Sequence, residues 1–265
     1  MSRLGRLQYL VNGGLSVTLR KLSKLSTFRD VFYNRVAGQH PYTNVLHHQW
    51  AMNRQLLAFS RDQLQKLPSG STVLDVGVGS APYWNLRSDL NWLGIDVVDG
   101  PKVDFIINKD SSWPINDASF DYILCTQVLE HVENPAFLVS EIRRVLKPGG
   151  KVLMNAPFLY PFHGMPNDQL RYTTTQLRYL FREFEVQECG TLGKAGSSIA
   201  TIWLNFVNYQ ISQSVILQFL KLIFFPLWLL GNAITNLLFV SIDKLDTTDS
   251  FPLNTYLVAT SPQRS

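Results

Sequence analysis

Acidic residues are nearly missing from the first quarter of the chain. Residues 1–61 contain one, Asp30, while Arg3, Arg6, Arg20, Lys21, Lys24 and Arg29 crowd its start. That imbalance favours an anionic neighbour, membrane lipid or nucleic acid, with a solvated basic helix as the plainer alternative. Cysteine is scarce too: Cys125 and Cys189 are the whole complement, without a metal-type pair. This excludes a disulfide framework and a thiolate metal site, and it suggests a reducing, cytoplasmic setting. The early apolar stretch is interrupted at Asn12-Gly13-Gly14, too soon for a signal-peptide core. Internal repeats and low-complexity tracts are also missing.

What is present is the composition of a globular chain leaning apolar, 265 residues with 46% hydrophobic and 17% charged residues and a net charge of +4. That length suits one large α/β domain with a decorated edge. Gln49 to Phe59 keeps an apolar face at helical spacing, closed by Pro68-Ser69-Gly70. From Thr72 strand and helix patterns alternate, predicting a doubly wound, Rossmann-like sheet with helices on both faces. Strands are expected at 72–76, 92–95, 103–107, 121–125, 151–154 and 184–188, with a last one at 255–259. Asn134 as cap, Pro135 at the first position and the stripe Leu138, Ile142, Val145 mark a helix ending before Pro148-Gly149-Gly150. A further helix is expected around Gln176 to Phe181.

Strand one runs into Asp75-Val76-Gly77-Val78-Gly79-Ser80-Ala81-Pro82. Glycine lets a backbone approach a ligand closely, and Pro82 is suited to start a helix whose free N–H groups would complete a nucleoside cradle. A dinucleotide fingerprint wants a third glycine where Pro82 stands, which disfavours a nicotinamide dehydrogenase.

Asp75 with Gly77-x-Gly79, Gly94-Ile95-Asp96, Trp113-Pro114-Ile115, Ser119-Phe120-Asp121, Leu129-Glu130-His131-Val132 and Arg144 to Gly150 occur in one order and spacing. In these the stretch from about Thr72 to Phe184 resembles the class I S-adenosylmethionine-dependent methyltransferases. The resemblance implies S-adenosyl-L-methionine as cofactor, with Asp75, Gly77, Gly79, Ser80, Asp96, Asp110 and Gln127 around it. Asp96 would accept both ribose hydroxyls; Asp75 would either order the turn or face the methionine end; Asp110 would meet the adenine amine or be a surface loop residue. A sulfonium-activated methyl needs alignment and exclusion of water rather than a covalent intermediate. A base for the acceptor, where needed, would be His163 or Asp168 in the loop after strand five. His131 is a third candidate, with hydrogen bonding at a helix start as its alternative. Some methyltransferases of quinone synthesis and RNA 3′-end modification hold a divalent ion with Glu-x-x-Glu-His. Here Gln127 replaces the first carboxylate, so no metal is expected.

Between Ala195 and Ile242 the only charged residue is Lys221. In the family the chain resembles, a fairly short connection joins the last two strands; here about 60 residues intervene, far beyond the usual loop. A buried cap, a dimer interface or a membrane-seated helical hairpin bent at Pro226 are the readings, with a full membrane span disfavoured by Lys221, Pro226, Gly231 and Asn232. The expected plan is therefore a helical extension over 1–66, a cofactor-binding core over 67–194, an apolar helical insertion over 195–250 and a last strand with tail over 251–265. The expected activity is methyl transfer to oxygen or nitrogen of a small-molecule, lipid-linked or glycan-precursor acceptor, peripheral to the cytoplasmic membrane face. A catalytically silent interaction protein on the same fold and a nucleic-acid methyltransferase are the alternatives. Nucleic acid is disfavoured because Cys125-Thr126-Gln127-Val128 replaces the Asn/Asp-Pro-Pro-Tyr/Phe signature.

Overall fold

Strict alternation of side chains builds the centre of the molecule. In the computed structural model, which describes residues 31–109, 111–164 and 167–263, seven strands form one sheet. They are β1 Thr72–Val76, β2 Asn91–Asp96, β3 Phe105–Ile106, β4 Phe120–Thr126, β5 Leu146–Pro157, β6 Glu185–Leu192 and β7 Asn254–Thr260. The order is β3-β2-β1-β4-β5-β7-β6, with β7 antiparallel to both neighbours and the pairs from β3 to β5 parallel. Leu74, Val76, Ile123, Cys125, Val152 and Met154 point to one face and meet Leu138, Ile142 and Val145. Val73, Leu124, Leu153 and Val258 point to the other and meet Phe59 and Leu64. Both faces are covered, so the strands read as nearly continuous apolar runs.

The helices are α1 Trp50–Gln65, α2 Pro135–Val145, α3 Thr174–Leu180, α4 Ala195–Gln213, α5 Val215–Ile223 and α6 Phe225–Ile242. At the start of α2, Asn134 Oδ1 accepts the Phe137 N–H at 3.1 Å and Pro135 occupies the first turn. At the opposite edge of the sheet from the ligand side, Asp121 accepts from Thr72 N–H (2.9 Å) and Lys147 Nζ (2.7 Å), tying the starts of β1, β4 and β5.

Two expectations are corrected. The helix predicted to begin at Pro82 does not form. Residues 77–90 hold a single 3-10 turn, Trp84–Leu86, and Trp84 is drawn down by its indole N–H bond to the buried Asp75 carboxylate. Arg87 holds the short return in place by donating to the Leu64 and Leu67 carbonyls at 2.7 and 3.0 Å. Gly231 does not break the insertion either, lying inside α6, while the bend expected at Pro226 is found two residues before it. The break falls at Phe224, and Pro226 sits in the first turn of α6, where a missing N–H is harmless. The basic residues from Arg3 to Arg29, and Asp110, lie outside the described residues.

The insertion α4–α6 leaves the sheet at Leu192 and returns at Asn254, two residues paired in the β6–β7 ladder. Asp243 Oδ1 and Asp246 Oδ2, just past α6, accept the Ser197 and Ala195 N–H groups at 2.8 and 2.9 Å, satisfying the free amides of the first turn of α4. Gly196 lets the two helices touch: a Cβ there would lie 1.8 Å from the Phe239 carbonyl oxygen.

Candidate cofactor cleft and acceptor side

At the carboxyl ends of β1, β2 and β4 the sheet order reverses, the place where open α/β sheets take ligands. Gly77 and Gly79 both have positive φ (69° and 48°). The Gly77 and Val78 N–H groups donate to the Ile95 carbonyl at 2.8 and 3.1 Å, binding the turn to β2. A Cβ at Gly77 would lie 2.4 Å from Val128 Cγ2, whereas one at Gly79 would meet nothing within 4 Å. The first glycine is thus required by packing; the second leaves open space above the turn. Ser80 follows on the exposed side.

Asp96, half-buried at the end of β2, accepts the Gly79 N–H (Oδ2, 3.0 Å) and the Val98 N–H (Oδ1, 3.2 Å). Each carboxylate oxygen keeps a further lone pair for a hydroxyl donor. Asp75 is buried beneath the turn and accepts the Trp84 indole N–H at 2.9 Å. Burial pushes its carboxyl up from 3.8 to about 7, the Trp84 bond opposes this, and the neighbouring Asp96 charge adds to it. Asp75 therefore holds the aromatic turn rather than loop amides. Val76, Gly77, Asp96, Val97, Ile107, Trp113, Val128, Val132, Phe137 and Leu138 surround an apolar cleft of about 100 Å³. Lys109, ion-paired to Glu133, stands at its rim. An apolar slot beside a carboxylate with free lone pairs has the chemistry to take a purine and its ribose.

On the other side of the turn, Gln127 takes a positive φ of 56° and its Nε2 donates to Asn155 Oδ1 (2.9 Å) and Asn254 Oδ1 (3.1 Å). Asn155 and Asn254 are buried, and their Nδ2 groups have no partner. Two residues beyond Gln127 the chain turns through the 3-10 segment Leu129–His131. The loop after β5 folds over this segment, the Gln169 and Leu170 N–H groups donating to the Glu130 carbonyl at 2.9 and 3.2 Å. This brings His131, His163 and Asp168 together. The His131 and His163 rings meet edge to face, centroids 5.0 Å apart. Asp168 accepts from Arg171 at 2.5 and 2.9 Å and from the His163 N–H at 2.9 Å. The Arg171 guanidinium holds its carboxyl well below the usual carboxylate range, so at neutral pH it orders the loop and takes up a proton poorly. His163 is raised above its ordinary value, first by the Glu130 carboxylate and also by Asp168, against the opposing effect of burial. His131 does not cap a helix; its Nδ1–H donates to the Asn167 carbonyl at 3.0 Å.

Trp84, Val128, Asn155 and Asn254 were not singled out from the sequence. The two asparagines do carry a signal, since each is an amide at the ligand-side end of an otherwise apolar strand, as in Val152-Leu153-Met154-Asn155. The pairing of Trp84 with Asp75 has none, because it depends on a turn whose shape the sequence did not reveal.

Residues 74–154 match a family model described as a methyltransferase domain. An uncharacterised protein of Methanocaldococcus jannaschii is 32% identical over 91 residues, 31% of this chain and 42% of that protein. Demethylmenaquinone methyltransferase of Renibacterium salmoninarum is 32% identical over 124 residues, 43% of this chain and 49% of that protein. The chain thus spans less than half the length of these curated relatives. Among solved structures, the [4+2]-cyclase SpnF superposes with a TM-score of 0.53 at 19% identity, covering 80% of this chain and 82% of the other. Haemonchus contortus phosphoethanolamine N-methyltransferase 2, in complex with S-adenosyl-L-methionine, gives 0.51 at 16% identity, covering 89% and 60%. At these identities the two structures establish the fold.

Proposed function

Because residues 74–154 form a class I S-adenosyl-L-methionine-dependent methyltransferase domain, we propose that the chain transfers a methyl group to a lipid-linked or similarly apolar acceptor while seated on a membrane surface. The cleft residues fit the cofactor. Asp96 offers two oxygens at the strand end, the space above Gly79 is open, and the apolar slot adjoins both. When bound, the cofactor supplies a methyl already activated by its sulfonium. The task of this chain is then to orient donor and acceptor and to keep water out. Asp96 and the glycine turn anchor the nucleoside. Gln127, Asn155 and Asn254 form a polar floor, with two buried amide donors open to a bound carboxylate or hydroxyl. The Glu130–His131–His163 turn lies on the acceptor side.

The observation that carries the acceptor class is the inverted polarity of α6. Its two asparagines face inward: Asn232 (2% exposed) donates to the Leu46 carbonyl at 3.0 Å, and Asn236 (0%) to those of Val45 and His47 at 2.8 and 2.9 Å. Its apolar residues face out, with Leu227 64%, Leu230 53%, Ile234 56% and Leu237 58% exposed. A helix surrounded by water places these the other way round. On α4 and α5 Trp203, Phe206, Ile216 and Phe219 are exposed as well, as is Phe224 between α5 and α6, and large exposed apolar surface marks an interaction site. A bilayer covers such a face at no cost in unpaired polar groups, and the basic N-terminal sequence favours an anionic leaflet. The insertion is rooted at Asn254, beside Gln127, so an acceptor held in the lipid would reach the cleft without crossing water. The relative named for demethylmenaquinone agrees with an apolar acceptor.

The test combines vesicle flotation with transfer of labelled methyl from the cofactor into a membrane extract. Full-length protein should float with anionic phosphatidylglycerol vesicles and label an organic-phase product. The double variant Leu230→Asp/Leu237→Asp, changed at exposed positions, should stay folded and remain at the bottom of the gradient. Protein that is monomeric without detergent and does not float, or label that enters only water-soluble products, would sink the proposal.

A further inference from the structure

Glu130 is completely buried, yet among the described residues neither of its carboxylate oxygens has a hydrogen-bond partner. Burying an unpartnered carboxylate is costly, and native structures retain one where something else compensates the charge. Two imidazoles face it. His131 Nε2 lies 3.6 Å and His163 Nε2 3.7 Å from Glu130 Oε1, both outside hydrogen-bond length. The other nitrogen of each ring is already committed. His131 Nδ1 is 3.0 Å from the Asn167 carbonyl oxygen. His163 Nδ1 is 3.3 Å from both the Pro161 carbonyl oxygen and Asp168 Oδ2. Those partners only accept, so each Nδ1 carries the hydrogen and each neutral ring presents a bare Nε2 lone pair to the carboxylate.

Three electron-pair donors thus converge with no hydrogen between them, one ligand atom from each lying within 4.8 Å of the others. We infer that Glu130, His131 and His163 bind a divalent first-row transition ion, of which zinc and manganese are the representative cases. Two neutral imidazoles and one carboxylate are the donor set these ions take, while magnesium and calcium prefer oxygen alone. Donors sharing one ion at about 2.1 Å lie roughly 3.0–3.4 Å apart, so the observed spacing needs only a slight closing of the side chains. Outer partners of the kind that orient metal-bound histidines are present: a carbonyl behind His131, and a carbonyl with the Arg171-clamped Asp168 behind His163. Gly164 keeps the loop close, since a Cβ there would lie 3.3 Å from His131 Cε1. Both histidines are partly exposed, leaving a path for entry and open coordination positions for water or an oxygen of the acceptor.

Such an ion would stand against the expectation of no metal. That expectation rested on Gln127, whose side chain is turned to Asn155 and Asn254 and takes no part in the cluster. The third donor comes instead from the loop after β5.

The experiment is calorimetric titration of Zn²⁺, and separately of Mg²⁺, into full-length protein stripped with a chelator, at pH 7.5. One equivalent of Zn²⁺ should bind with a dissociation constant of about 1 µM or tighter, and Mg²⁺ at least about 100-fold more weakly. His163→Asn, on a half-exposed loop, should weaken Zn²⁺ at least about 10-fold. Glu130→Gln should do the same, and if that buried variant misfolds, His163→Asn alone decides. Binding should also weaken as the pH falls through the histidine range, where protons compete for Nε2. No zinc binding by the wild type, which would mean that only a proton fills the gap, overturns the inference. So does unchanged affinity in a folded His163→Asn protein, which would place the ion elsewhere.

Discussion

Replacing Asp75 with Asn isolates the energetic cost of the buried acid under the glycine turn. Its carboxyl sits at about 7 in the folded chain against 3.8 ordinarily. Below about pH 4 both folded and unfolded states are protonated and the group contributes nothing. Between about pH 4 and 7 the unfolded chain alone ionises, so stability falls as pH rises, by about 1.4 kcal/mol per pH unit. Above about pH 7 the loss levels off, on the order of 4 kcal/mol in all. Asn keeps an oxygen to accept the Trp84 indole N–H but cannot ionise. Asp75→Asn should therefore match the wild type at pH 4 and exceed it by about 2–4 kcal/mol at pH 8. Urea unfolding at half-unit pH steps in mild detergent, with the denaturant slope held as a check, measures this. The difference between the two proteins is the quantity to plot. His47 and His48 are pushed down by burial, to about 4 and about 3. They stabilise the fold as pH rises, but equally in both proteins. Parallel curves for the two proteins would refute the reasoning.

Two further substitutions separate packing from binding in the same turn. Gly77→Ala meets both a positive φ and a 2.4 Å contact with Val128, whereas Gly79→Ala meets only the φ. The first should cost at least about 2 kcal/mol more in urea unfolding, and equal losses would show that Val128 gives way freely. Asp96→Ala removes the strand-end acceptor and should weaken S-adenosylhomocysteine by about 10- to 100-fold in calorimetry, the worth of one or two charge-assisted bonds. Unchanged affinity would place the ribose elsewhere.

The sheet was legible because its central strands are buried on both faces and bounded by turn residues. Thr72–Val76 reads directly from its composition, and Asn134-Pro135 marks the start of α2 before any coordinates are seen. Legibility failed where the path depends on contacts rather than pattern. Pro82 reads as a helix start, but residues 77–90 form only the turn Trp84–Leu86, tied down by the Trp84 bond to Asp75 and the Arg87 bonds to Leu64 and Leu67. The cofactor side could be read because strand ends bring Asp75, Gly77 and Asp96 together automatically. The acceptor side could not, because His163 joins Glu130 and His131 only through a loop folded back by hydrogen bonds to the Glu130 carbonyl. The polarity of α6 was hidden for a related reason. Composition marks it as apolar all round, and only its docking shows that Asn232 and Asn236 define the inner side.

The root of the insertion has a mechanical consequence. Leu192 and Asn254 are ladder partners, and the Leu253 N–H donates to the Leu192 carbonyl at 3.0 Å. The two ends of the helical excursion are therefore already as close as the two arms of a hairpin. Pairing them closes the whole excursion, at an entropic cost that rises only slowly with its length, about 0.6 kcal/mol per doubling. A short turn in place of α4–α6 would leave every rung between β6 and β7 intact. Yet Asn254 is also the residue that holds Gln127. A push on the helices along that strand would be felt at the floor of the cleft before anywhere else in the domain. The excursion is detachable as architecture and coupled as a lever.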